Sequence, residues 1–85
     1  MAYSLHLLRH LRETIGRNIH HYRFKHKMPL PKLARLAGVP QDRLDHFEMG
    51  KGAIGTEELL RIACALRVNV GQLVGCYPAN PGTGN

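Results

Sequence analysis

Along the first third of the chain the apolar residues fall at Leu5, Leu8, Leu11, Ile15, Ile19 and Tyr22, three or four positions apart. That spacing lines them up on one stripe of a helix, and Ser4 is placed to cap its start. Gly16 lies inside the run. A glycine there costs about 1 kcal/mol relative to alanine, so a bend or break is expected at that point. Met28-Pro29-Leu30-Pro31 ends the helix, because proline disfavours a helical residue before it and has no amide to donate. Two short helices are predicted next, from about Pro31 to Ala37 and from about Gln41 to Phe47. Gly50-Lys51-Gly52-Ala53-Ile54-Gly55 reads as a flexible loop. Thr56 is placed to cap a fourth helix, with Glu57 and Glu58 at its positive end and Leu59, Ile62, Ala63 and Leu66 as its buried stripe. Asn69 is placed to cap a short fifth helix holding Leu73 and Val74. CYPANPGTGN, the stretch from Cys76 onward, has the proline and glycine content of a disordered tail. The pattern is all-α, with five helices and no internal repeat. It divides as an N-terminal helical extension over 1–14, a folded domain over 15–75 and a tail over 76–85.

The second and third of these helices have a particular relation. From Leu30 to Phe47 the chain reads LPKLARLAGVPQDRLDHF, which is the spacing of a helix-turn-helix. Two helices packed steeply through a tight turn need a small residue where their backbones approach, and Ala34 occupies that place. The turn needs a residue that tolerates positive φ, and Gly38 stands four positions later. Leu33, Leu36 and Ala37 from one helix, Val39 from the turn, and Leu44 and Phe47 from the other are the expected anchors in a shared core.

Composition narrows the class. Eighty-five residues, 44% of them hydrophobic, supply one small domain with a modest core. No stretch approaches the roughly 18 consecutive apolar residues of a membrane span. Arg9, His10 and Arg12 interrupt the N-terminal leucines, so no secretory signal is expected. Cys64 is expected in the core and Cys76 in the tail, where it offers a crosslink between copies; the two form no metal or redox motif. The net charge of +6 is unevenly placed: residues 1–35 hold eight Lys and Arg against one acid, and residues 36–85 hold four against five. A polyanion is therefore expected near the first two helices and the tip of the third.

At IGRNIHHYR, KLARLAGVPQDRLDHFEMGKG and ELLRIACALRVNVGQLV the chain resembles the Cro/C1-type (XRE-like) helix-turn-helix family of phage and plasmid repressors. The resemblance runs from Ile15 to Val74. It implies a five-helix, lambda-repressor-like DNA-binding domain, and a bacterial cytoplasmic protein associated with the nucleoid. The suitable models are phage Cro proteins and Kor-type plasmid regulators.

In such a fold the third helix enters the major groove N-terminal end first, while the second lies across the phosphates. The family's base-contacting positions fall here on Gln41, Asp42, Arg43 and His46. Gln41 can pair with adenine N6 and N7, Arg43 can fork onto guanine O6 and N7, and Asp42 can accept from cytosine N4. Each has a plainer role open to it. Asp42 suits the first turn of any helix, Arg43 can bind phosphate or pair with Asp42 or Asp45, and His46 can simply be exposed. Phosphate contacts are expected from Lys27, Lys32, Arg35, Lys51 and Gly52, with the amides of Gly50 to Gly52 left open to a close approach. Two places depart from the family. Pro29, Leu30 and Pro31 stand where relatives begin the second helix with Ser or Thr and then Gln, and Ala53 and Ile54 stand where some send a basic residue into the minor groove. Arg23 and Glu48 match a pair that family members bury between the first and third helices.

His6 and His10 lie at i, i+4, and His20, His21 and His26 cluster later, yet no Cys or acid completes a ligand set, so neither metal nor cofactor is expected. Histidines beside a polyanion would instead strengthen binding at mildly acidic pH. No nucleophile, base and orienting group come together, and an enzyme is not expected. The sequence favours a repressor that binds an inverted-repeat operator on double-stranded DNA as a homodimer, with no membrane partner and no small-molecule effector. The alternatives are a restriction–modification controller, or an antitoxin-like protein-interaction module with a secondary DNA-binding role. Helix five and the N-terminal leucines compete as the dimer surface.

Overall fold

The computed structural model describes the backbone of residues 2–75 and side chains from Leu5 onward. The expected tail, with Cys76, lies outside the described residues. Five helices follow in order: α1 (Ala2–Lys25), α2 (Leu30–Ala37), α3 (Gln41–Glu48), α4 (Thr56–Leu66) and α5 (Val70–Val74).

α1 is longer than its glycine suggests. It starts ahead of Ser4, which therefore lies within the helix, and it passes Gly16 without a break. The break fails because Gly16 is a packing position: its Cα faces the carbonyls of Phe47 and Glu48 at the end of α3. Lys27, in the left-handed region at φ +53°, closes the helix while the Met28 amide donates back to the Arg23 carbonyl.

α2 and α3 form the helix-turn-helix. Gly38 takes φ +69°, and its amide and that of Val39 donate to the carbonyls of Arg35 and Ala34. Leu33, Ala34, Ala37 and Val39 are buried below the turn, and Leu44 and Phe47 below α3. Leu36, expected among these anchors, is 54% exposed. At 100° per residue it lies about 110° from the centre of the face formed by Leu33, Ala34 and Ala37, too far round to reach the core.

α4 begins one residue earlier than expected. Gly55 is its N-cap and Thr56 its first helical residue. Glu58 provides the reason: its Oε1 accepts the Gly55 amide at 3.0 Å, the carboxylate half of a capping box. Ile62, Ala63 and Leu66 are buried, whereas Cys64, expected in the core, falls on the opposite face and is exposed. Arg67 at φ +61° ends the helix, and Arg61 Nε donates to the Ala37 carbonyl at 3.0 Å, tying α4 to the end of α2. Asn69 caps α5 with a reciprocal pair of 2.9 Å bonds to Gln72. Asn18 of α1 then donates to the Leu73 carbonyl at 2.7 Å and the Gly75 carbonyl at 3.1 Å. Ile19, Leu33, Leu44, Phe47, Ile62, Leu66 and Leu73 are fully buried, so every helix supplies the one core. Each such side chain contributes about 1.5–3 kcal/mol. No helix among the described residues is long and apolar enough to cross a membrane.

Candidate nucleic-acid interface

α3 is a short amphipathic helix held by two residues. Leu44 and Phe47 are buried, which turns Gln41, Asp42, Arg43, Asp45 and His46 outward. Gln41 opens the helix behind Pro40, and no side chain caps it. Its leading edge is therefore exposed, beside a shallow depression shared by Leu30, Gln41, Asp42 and Asp45. Asp42 Oδ1 accepts the Arg43 amide at 3.1 Å, a first-turn bond that leaves its second oxygen outward.

Arg43 reaches across to the first turn of α4. Its pairing with Asp42 or Asp45 does not form; Nε and Nη2 instead bond Glu58 at 2.5 and 2.8 Å, and the guanidinium lies over the Phe47 ring, 4.9 Å from its centroid. Glu58 is 18% exposed and is already fixed by the Gly55 amide, so it holds the arginine in a defined plane. The Arg43 bond holds the Glu58 carboxyl far down, at about 2 instead of the ordinary 4.5, against a smaller upward push from desolvation. Its folded-state value is thus depressed, and the stability it supplies is complete above pH 4.5 and lost as pH falls towards 2. An acid titration of unfolding should show this loss, and Glu58→Gln should make it smaller.

The far end of α3 is clamped to α1. Arg23 Nε and Nη2 donate to the two Glu48 oxygens at 2.6 and 2.9 Å, and Nη1 donates to the Met28 carbonyl at 3.0 Å. The two side chains are 13% and 7% exposed. His20 Nδ1 adds a 3.0 Å contact to Glu48 and its ring lies on Phe24. Burial pushes the Glu48 carboxyl up, but the bonds from Arg23 and His20, with their charges, carry it below its ordinary value.

The expected phosphate ligands divide. Lys27, Lys32, Arg35 and Lys51 are exposed, and among the described residues none enters an ion pair. The amides expected to approach phosphates are mostly engaged. Gly50 donates to Phe47 and Lys51 to His46, both bonds terminating α3, which leaves the Gly52 amide as the one in this run without such a bond. At α2, Pro31 offers no amide and those of Lys32 and Leu33 both turn to the Pro29 carbonyl, so this helix end is a poor anion site. Among the described residues, no three His, Cys, Asp or Glu side chains gather as metal ligands. Glu58 and Arg61 are the residues that sequence reasoning missed as partners; the i, i+3 step from Gly55 to Glu58 was the available signal for the first.

No family model and no curated protein sequence matches the chain. Solved structures do. The clp gene regulator ClgR from Corynebacterium glutamicum superposes with a TM-score of 0.72 at 27% identity, over 74% of this chain and 67% of that one. The hypothetical transcription factor NHTF from Neisseria gives 0.72 at 25% identity, over 75% and 74%. The restriction–modification controller protein C.AhdI from Aeromonas hydrophila gives 0.71 at 21% identity, over 73% and 94%, a likeness of fold. Five helices in this order, a glycine-turned helix-turn-helix and these neighbours give the chain the all-α, lambda-repressor-like helix-turn-helix fold that the resemblance implied.

Proposed function

We propose that the chain is a DNA-binding transcriptional regulator that acts as a repressor, occupying an inverted-repeat operator as a dimer with α3 in the major groove. The observation that carries this reading is the exposed leading edge of α3, with Gln41, Asp42 and His46 outward on a buried Leu44–Phe47 anchor. Unpaired cations at Lys27, Lys32, Arg35 and Lys51 supply the sequence-independent attraction. Gln41 reads adenine and Asp42 accepts from cytosine. Arg43 reads guanine with Nη1, while Glu58 and the Ala53 carbonyl hold Nε and Nη2 and so fix the guanidinium plane.

Selection of bound duplexes from a random pool tests this. Enrichment of two inverted half-sites about 34 Å apart is expected, and a pool that stays random would overturn the reading. Arg43→Ala should relax the preference at one base pair by about 1–3 kcal/mol, and Glu58→Gln should relax the same base pair by less. Lys51→Ala should weaken every duplex alike and reduce the salt slope by about one.

A further inference from the structure

The leucines in the first turns of α1 are left over from the fold. Leu5, Leu7, Leu8 and Leu11 are 72%, 62%, 44% and 40% exposed, although the same helix buries Ile15 and Ile19 further along. The residues from Ala2 to Arg12 carry α1 about 16 Å outward from Thr14, its first buried residue. Little in this overhang keeps it helical alone. Its first turn holds no acidic residue to offset the helix dipole, and a helix end without tertiary packing frays readily. Such a segment is stabilised by what its apolar face packs against.

We infer that the leucine face of α1 is covered by the same face of a second copy of the chain, in a two-fold contact between overhangs. The exposed leucine surface is on the order of 400 Å² per copy, already within the range of the largest patch on a typical monomer. Leu8 and Leu11 lie at the centre of this face and Leu5 and Leu7 at its two flanks, so pairing two copies removes at most about 800 Å², and the stems of Arg9 and Arg12 carry the total to about 1,000 Å², the low end for specific interfaces. A two-fold contact requires a surface that complements itself, and a leucine stripe does.

The other occupants fit less well. Residues 76–85 contain Tyr77 but no Leu, Ile, Val, Met or Phe to lay against the stripe. α5 has used its leucine in the core, with Leu73 wholly buried and Val74 half-buried. The second apolar patch, Leu36 and Leu60 beside Cys64 in the groove between α2 and α4, offers about half the leucine surface. This contact deepens the proposed function, and only its consequence for DNA rests on that reading.

Sedimentation equilibrium on the full chain, with circular dichroism across the same concentrations, tests the contact. A monomer–dimer equilibrium is expected, with helix content rising as dimer forms. Leu5→Gln with Leu7→Gln changes the two most exposed leucines and keeps good helix formers, so it should raise the dimer dissociation constant at least tenfold and leave the thermal unfolding of the monomer unchanged. Leu36→Gln with Leu60→Gln should leave association as it was. A wild-type chain that stays monomeric at about 200 µM, a double variant at 5 and 7 that dimerises normally, or dissociation caused by the changes at 36 and 60 would each overturn the inference. On DNA, the variant at 5 and 7 should bind a single half-site as the wild type does and the inverted repeat at least tenfold more weakly. Intact dimers that prefer no duplex would count against the regulator reading and leave the interface standing.

Discussion

Glu48→Ala is expected to lower the stability of the domain by about 3–5 kcal/mol, the usual cost of stranding one partner of a buried ion pair. Small domains have only about 5–15 kcal/mol in all, so the variant should lose a large share of its stability. Arg23 accounts for most of the loss. Its guanidinium side chain is 13% exposed and gives two of its nitrogens to Glu48, keeping only the neutral Met28 carbonyl and a 3.4 Å contact to His20 Nδ1 once the carboxylate is gone. His20 loses its carboxylate partner as well. Urea unfolding of a small series separates the charge from the packing. Glu48→Gln should lie between wild type and alanine, because an amide still accepts. Arg23→Met combined with Glu48→Ala should cost less than Glu48→Ala alone, because no buried charge is left unpaired. Equal losses in the single and double variants would show that the pair acts through shape and not through charge.

The course of the helices was largely legible because it rests on periodicity and on proline. Pro29 and Pro31 stop α1 by removing donors, and the apolar steps of α2 to α4 locate their buried faces. What escaped were the ends closed by residues without a turn preference. Lys27 and Arg67 sit at positive φ, where glycine is the ordinary choice, and nothing in their chemistry announces it. Leu36 and Cys64 were misplaced for a related reason: an apolar residue next to a buried one looks like part of the same stripe until the helix phase is fixed by its neighbours.

The candidate interface was legible as positions and less so as geometry. Gln41, Asp42 and His46 are outward because Leu44 and Phe47 are inward, and that alternation is written in the spacing. The partner of Arg43 was not. Fifteen residues separate it from Glu58, and the pairing depends on how the loop from Gly50 to Gly55 returns the chain, with left-handed turns at Gly50 and Gly52. The amides of that loop were read as open to phosphate, yet ending α3 already employs those of Gly50 and Lys51. A helix terminus satisfies its own carbonyls first.

Gly16→Ala decides between two effects of opposite sign. Helix propensity alone favours alanine by about 1 kcal/mol inside α1. The seam between α1 and α3 opposes it. A Cβ at position 16 would meet the Glu48 carbonyl oxygen at 2.9 Å and its carbon at 3.1 Å, with the Phe47 oxygen closer still. All three are backbone atoms, and the Phe47 oxygen is also the acceptor for the Gly50 amide that ends α3. No rotamer change relieves the contact; the helices must separate. Overpacking of this kind costs about 1–3 kcal/mol and sometimes more, and separation would also stretch the Arg23–Glu48 clamp two turns along the same seam. A net loss of about 3 kcal/mol is therefore expected, seen as a fall in Tm of more than ~10 °C for a domain of this size. A Tm that rises would mean the two helices have room to spare and that propensity governs the position. Because this seam joins α3 to α1, preference among duplexes should suffer in Gly16→Ala even below its melting point, while the salt dependence proposed for Lys51 and the other exposed cations should stay unchanged.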